Sequence, residues 1–326
     1  MKKQLLIAAV AATMTSVAMA DISITGAAEV NYKTTDFDDA SITDTNTISH
    51  DFDLKITGKS GATSIVMDIE NTDANANAAT TTIAASATEE AVDALTVLKT
   101  ANELNVKNAY MKTTIAGVNL KMGTWYGSDS LLANGGQTED QVSLDTTFNG
   151  VKVQYEDNMS TSSVTLSGSV AGVEVSHEIF DTKTDSSVSG TFAGVNAMYR
   201  SVDSDTANSD KTALEISTEV QGVTLTYAEV DVDTANQGSS DAFFGTIGDA
   251  GSDDMRDATG YGVKTAMAGN TLNLKSYEVG TTDYTKLVVT RPLASGATVE
   301  ATYLTIDSTT ATEDNTSLDL ELRVKF

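Results

Sequence analysis

Cysteine is absent from the 326 residues, so neither a disulfide framework nor a thiolate metal site holds this fold together. Proline occurs once, at Pro292, which leaves backbone N–H groups available for ladders along almost the whole chain. The two histidines, His50 and His177, both fall on the apolar parity of alternating segments, where interfacial packing is the ordinary role. No Gly-x-Ser-x-Gly elbow, phosphate loop or zinc spacing occurs, so catalysis has no nucleophile and base to work with and no cofactor is implied. Basic residues are scarce, 20 against 46 acidic, for a net charge of −26. That balance argues against nucleic acid as a partner, because phosphate binding draws on Lys and Arg to displace counterions.

Long apolar runs are also missing. The first apolar stretch, Leu5 to Ala12, falls well short of the roughly 20 residues a membrane helix needs, and nothing later reaches that length. With Lys2 and Lys3 before it and Ala18-Met19-Ala20 after it, residues 1–20 have the basic start, short apolar core and small-x-small end of a secretory signal peptide cut before Asp21. Removing them takes away two lysines and leaves 18 basic against 46 acidic residues, −28, in an exported chain.

What the chain has instead is alternation. Ile22, Ile24, Ala28, Val30 and Tyr32 are set against Ser23, Thr25, Glu29, Asn31 and Lys33. Ile48, Phe52, Leu54 and Ile56 oppose Ser49, Asp51, Asp53, Lys55 and Thr57, and Val118, Leu120 and Met122 oppose Asn119 and Lys121. The last segment repeats the pattern, with Leu318, Leu320, Leu322, Val324 and Phe326 against Asp319, Glu321, Arg323 and Lys325. Period-two patterning gives strands with one apolar face and one wet face. A mean hydropathy of −0.13 with 40% hydrophobic residues is therefore compatible with membrane strands, which need only one apolar face each.

The connections between these strands divide into two classes that alternate along the chain. Short ones fall at 58–61, 116–117, 149–150, 171–172, 193–194, 221–222 and 268–270, with a longer member at 292–296. Glycine in them supplies the positive φ of tight hairpins. Polar and mostly longer connections fall at 34–47, 71–102, 126–140, 181–187, 203–211, 232–257 and 307–316, with a short one at 158–161. Tight turns on one rim and long loops on the other predict an all-β, antiparallel, up-and-down transmembrane β-barrel with short periplasmic turns and long outer loops. The count is about eighteen strands over residues 21–326. Closure is obligatory there, because lipid cannot satisfy an open sheet edge.

Residues 88–99 depart from the pattern, with Val92, Leu95 and Leu98 at helical spacing. They predict a short loop helix, either folded onto the rim or in contact with a second subunit. Acid clusters such as Asp36-Phe37-Asp38-Asp39 read as solvated loop faces, and their spacing matches no calcium loop. Tyr32, Tyr110, Tyr199, Tyr227, Tyr261, Tyr303 and Phe326 lie on or near the apolar parity close to strand ends, as interfacial girdles require. Trp125 reads as girdle or pore rim.

The hairpin at 105–127 (NVKNAYMKTTIAGVNLKMGTWYG) resembles that of Gram-negative general diffusion porins ahead of their third outer loop. Lys107 matches the family's first basic position, Ala109-Tyr110 its Ala-aromatic pair and Gly123 its glycine, while Thr124 stands where the second basic residue is usual. The terminal strand closed by Phe326 resembles the family's assembly signal. The resemblance implies a passive, water-filled outer-membrane channel for small hydrophilic solutes, usually sixteen-stranded and trimeric, embedded in lipid by the assembly machinery. Residues 71–102 are then the candidate latch onto a neighbour. It also implies a third loop, here 126–140, that brings acids across the lumen from basic residues on the wall. Asp129, Glu139 and Asp140 would be the acids; Lys33, Lys55, Lys107 and Lys121 fall on the polar parity of the wall. Sixteen to eighteen strands therefore bracket the expectation. An excess of acid near the narrowest section would favour cations. A substrate-selective channel on the same fold, and a secreted acidic β-rich surface protein or adhesin, are the rival readings.

Overall fold

The computed structural model describes residues 21–39, 41–72, 103–127, 137–233, 257–293, 297–308 and 314–326. Among them all regular structure is strand. The first six strands are β1 (Asp21–Phe37), β2 (Thr45–Ser60), β3 (Thr63–Thr72), β4 (Glu103–Ile115), β5 (Val118–Tyr126) and β6 (Gln137–Phe148). Then come β7 (Val151–Asp157), β8 (Ser162–Val170), β9 (Val173–Phe180), β10 (Lys183–Phe192), β11 (Val195–Ser204) and β12 (Lys211–Val220). The last are β13 (Val223–Val232), β14 (Ala258–Met267), β15 (Asn270–Val279), β16 (Thr282–Pro292), β17 (Ala297–Ser308) and β18 (Asn315–Lys325).

Each strand pairs antiparallel with the next, and β18 returns to β1 in the register Ala28↔Val324 and Tyr32↔Leu320, so the sheet is one closed 18-stranded barrel. A single closed sheet argues against the secreted β-rich surface protein as a sandwich or repeat array, and sets the strand number at the upper end of the expected range. Alternation then sorts the faces. Directly paired residues share a face, so Tyr32↔Ile48 and Val30↔His50 point outward, while Lys33↔Asp319 and Glu29↔Asp51 point into the lumen. Large apolar side chains stand exposed on the outer face, among them Ile48 at 69%, Leu166 at 42% and Val324 at 42%. An apolar surface of that extent has a place against lipid, not water.

Six of the eight connections on one rim are two-residue turns in which both central residues have positive φ, as in Ala116-Gly117 (52° and 84°), Ala171-Gly172 (53° and 81°) and Ala193-Gly194 (49° and 83°). This backbone matches the twist of the flanking strands, which is why it recurs. The opposite rim is less uniform than the sequence suggested. The expected loop at 181–187 is only residues 181–182, because β10 begins at Lys183, and a further short connection at 280–281 joins β15 to β16. Polar serines and threonines made Lys183–Ser187 look like loop, yet they pair in register with β9 and β11. The expected helix at 88–99 lies outside the described residues.

An aspartate stands just before the returning strand in four of the loop-rim connections, and in each its carboxylate accepts the N–H that ends the preceding strand. Phe37 N donates to Asp44 at 3.0 Å, Ser204 N to Asp210 at 2.9 Å, Val232 N to Asp257 at 2.9 Å and Ser308 N to Asp314 at 2.6 Å. The backbone carbonyls of Asp210, Asp257 and Asp314 accept from the adjoining hairpin, from Asp233, Gly280 and Asp38. Each of these three residues thus closes its own hairpin and ties it to the next, satisfying backbone groups where the ladder stops.

At the seam, Gly26 N donates to the Phe326 carbonyl at 2.8 Å and Phe326 N to the Gly26 carbonyl at 3.0 Å. The Phe326 ring lies over Gly26, where a side chain would stand 2.6 Å from its Cζ, and stacks on Phe52 with centroids 6.0 Å apart. Inside the barrel toward the loop rim, Val202, Ala213, Ala228, Val230, Val232, Ala258, Tyr277 and Val279 form a buried apolar cluster on β11 to β15. Alternation inverts there. On β13, Leu225 and Tyr227 face out in the lipid belt, and above them Glu229 shares that outward face while Val230 turns inward.

Candidate pore lining

Three strands bring two of the wall lysines together with carboxylates. On β2 and β3, Lys55 lies opposite Asp68, with Nζ 3.4 Å from Oδ2. The next carboxylate on that face, Glu70, holds Lys107 of β4 at 2.8 Å. The ladder between β3 and β4 slips between Asp68 and Ile69, because Asp68 pairs with Asn108 and Ile69 with Val106. Lys107 is the extra residue of this bulge, so Lys107 and Asn108 both face the lumen, Asn108 donating to Asp68 at 2.8 Å.

The bulge corrects one expectation. It exchanges the parity of β4, so Tyr110 leaves the outer girdle and points inward, edge-on to Trp125 at 6.2 Å between centroids. Lys121 of β5 lies against both rings, its Nζ 4.4 Å from the Tyr110 centroid and 3.8 Å from that of Trp125. An ammonium over two ring faces is held by cation–π attraction and is turned away from open solution. Trp125 is thereby placed as an inner-wall residue, buried to 7% exposure.

Gly123 is what permits this packing. Its φ is +132°, and a Cβ there would collide with the Ala109 carbonyl oxygen and come within 2.8 Å of Tyr110 Cα. Gln141 repairs the adjoining irregularity, its amide nitrogen donating to the carbonyls of Trp125 at 3.1 Å and Thr138 at 2.9 Å.

Lys33 faces the lumen, exposed, opposite Thr47 and Asp319. The expected loop acids separate. Strand β6 begins at Gln137, so Glu139 and Asp140 stand on that strand and not in the connection; Asp140, with φ 53°, is exposed beside the slipped register. Asp129 lies outside the described residues. In the acidic connection between β1 and β2, the Asp39 carboxylate accepts from the hydroxyl and N–H of Ser41, which hold it below the usual carboxylate range. Those bonds therefore add stability above that range and lose it as the pH falls through the lowered value.

Two lumen groups were legible by parity but not singled out. Glu29 lies directly opposite Asp51, and Glu300 opposite Glu321, on the joined walls of β17, β18, β1 and β2. Arg323 adjoins them, with Nε 3.6 Å from Glu29. Directly opposed like charges repel, and with four carboxylates beside one arginine the patch is acidic. Lysines also oppose each other, Lys112 with Lys121 and Lys275 with Lys286, so the wall is not of one sign throughout. Farther round, Arg200 grips Asp185 through Nε and Nη2. On the outer face, His50 is paired with Val30, and His177 shares a hydrogen bond with Ser186 at 2.9 Å. Among the described residues no group of three or more His, Asp or Glu is arranged to hold a metal ion.

No protein-family model and no curated protein matches the sequence. Solved structures do match its shape. A mutant of Rh. blastica porin aligns over 94% of this chain and 100% of its own at 10% identity, with a TM-score of 0.55. Pseudomonas aeruginosa OccD3 aligns over 95% of this chain and 93% of its own at 10% identity, TM-score 0.62. Acinetobacter baumannii OccAB4 aligns over 94% of this chain and 98% of its own, again at 10% identity with a TM-score of 0.62. The closed 18-stranded barrel, apolar outside and charged within, thus has the fold of bacterial porins.

Proposed function

We propose that this chain is an outer-membrane porin through which small hydrophilic solutes and ions diffuse passively, with a preference for cations. The observation that carries this reading is the separation of faces on a closed sheet. The outside offers apolar side chains to lipid, and the inside offers ion pairs and unmatched carboxylates to water. The cation preference rests on the Glu29, Asp51, Glu300 and Glu321 patch and on the excess of acid over the whole sequence. Among the wall lysines, Lys55 and Lys107 are engaged by carboxylates and Lys121 by aromatic rings, while Lys33 stands exposed to the lumen. Export through residues 1–20, a trimeric assembly, and a constriction near Lys107 belong to the same proposal, as does the absence of a catalytic role.

Planar-bilayer recording under a potassium chloride gradient tests it. Discrete conductance steps with a reversal potential on the cation side are expected, arriving in threes if the trimer is right. Reversal on the anion side would overturn the charge argument. Silence from protein that is folded and inserted would overturn the channel itself.

A further inference from the structure

Where β5 to β9 reach the loop rim, their inner faces form an open recess of about 230 Å³ lined by Trp125, Gln141, Glu156, Ser163, Glu178 and Phe180, with the connection at 158–161 at its edge. That volume suits a solute smaller than the occupants of the usual several-hundred-Å³ ligand pockets. Among the described residues its charged lining is Glu156 and Glu178. Glu156 accepts a single hydrogen bond, from Gln154 at 2.6 Å, and Glu178 has no hydrogen bond or ion pair with any described residue. The amide groups nearby are already committed. Gln141 donates to two backbone carbonyls, and the Asn158 oxygen accepts from Ser160 and Thr161. Beside the hydroxyls of Thr138, Thr161, Ser162 and Ser163, the recess thus offers two carboxylates and ring surface.

Both of its rings already attract ammonium groups of the chain. Lys121 Nζ lies 3.8 Å from the Trp125 centroid and Lys183 Nζ 4.9 Å from that of Phe180. Neither lysine lines the cavity itself. Rings combined with carboxylates favour an organic cation over a bare metal ion, since ring faces reward a diffuse, weakly hydrated charge. We infer that this recess is a binding site for small solutes bearing a guanidinium group, held at Glu178 and Glu156 beside Phe180, with Trp125 behind them, as they enter the lumen. The inference rests on the channel reading and turns a general pore into one that favours a chemical class.

Trp125 is the only tryptophan of the chain, so its fluorescence reports on the site without a label. Protein purified from membranes in detergent is titrated with L-argininamide, with potassium chloride and sodium glutamate at equal ionic strength as controls. A saturable change given by argininamide alone, and weakened about tenfold or more in Glu178→Gln and in Phe180→Leu, supports the site. No saturation, an equal response to glutamate, or unaltered binding in both variants overturns it. Potassium chloride conductance is recorded on the same samples. Conducting protein without a fluorescence response removes the site and keeps the channel, whereas saturable binding in folded protein that never conducts keeps the site and removes the channel reading.

Discussion

At the residue scale, Gly123 and the bulge at Lys107, both on the β4–β5 hairpin, decide which side chains face the lumen there. Gly123 has a φ of +132° and no room for a Cβ against the backbone of Ala109 and Tyr110. Gly172 has a φ of +81° but open space around it. Gly123→Ala should therefore cost roughly 2–4 kcal/mol through strain and overpacking together, and Gly172→Ala about 1–2 kcal/mol through backbone conformation alone. Urea unfolding in detergent, followed at Trp125, measures both, and equal losses would show that close packing at Gly123 carries no energy. The glycine was visible in the sequence through its resemblance to a porin motif. The bulge was not, because VKNA reads as simple alternation until the partner strand shows Lys107 as the extra residue. Strict period-two reading therefore placed Lys107 correctly and Tyr110 on the wrong face. Carboxylates such as Glu70 were invisible as partners for a related reason, since which residues meet across strands depends on register.

At the scale of the hairpin, turn chemistry was the most legible part of the molecule and loop chemistry the least. Ala-Gly, Asn-Gly and Gln-Gly pairs marked the tight rim nearly to the residue, because so few sequences adopt two successive positive φ values. The loop rim has no such vocabulary. Its recurring element is a single aspartate before the returning strand, which composition alone presents as solvated acid. Asp257 shows what it does, its carboxylate accepting from Val232 N and its carbonyl from Gly280 N. Asp257→Ala should release the first bond and leave the second, at a cost of about 1 kcal/mol. The expected result is faster hydrogen exchange at the Val232 amide with little change at Tyr227, lower on the same strand. Uniform acceleration along β13 would mean instead that the residue supports the whole strand.

For the whole molecule, the seam between β1 and β18 is the single junction that sequence neighbours do not make. It was foreshadowed by an alternating terminal strand and Phe326, yet its mate, Gly26, carried no signal of its own. The ring of Phe326 fills the space above Gly26 and rests on Phe52. Phe326→Leu should remove the stacking increment, about 0.5–1.5 kcal/mol, whereas Gly26→Val drives a branched side chain into both the ring and the Asp53 carbonyl. The temperature at which the folded, fast-migrating gel band is lost should fall slightly for the first and markedly for the second. The reverse order would show that the aromatic contact, not backbone access at Gly26, secures the seam.

The repetition of Ala-Gly turns has a further consequence. Ala171-Gly172 and Ala193-Gly194 have the same residues and nearly the same backbone angles, and β9 and β10 between them pair only with each other and their two flanking strands. Excising residues 173–194 would rejoin β8 to β11 through a turn identical to the one removed, giving a sixteen-stranded barrel of smaller girth. Bore is therefore a modular property of this chain, adjustable by whole hairpins at ready-made splice points, with Arg200 losing its partner Asp185 in this instance.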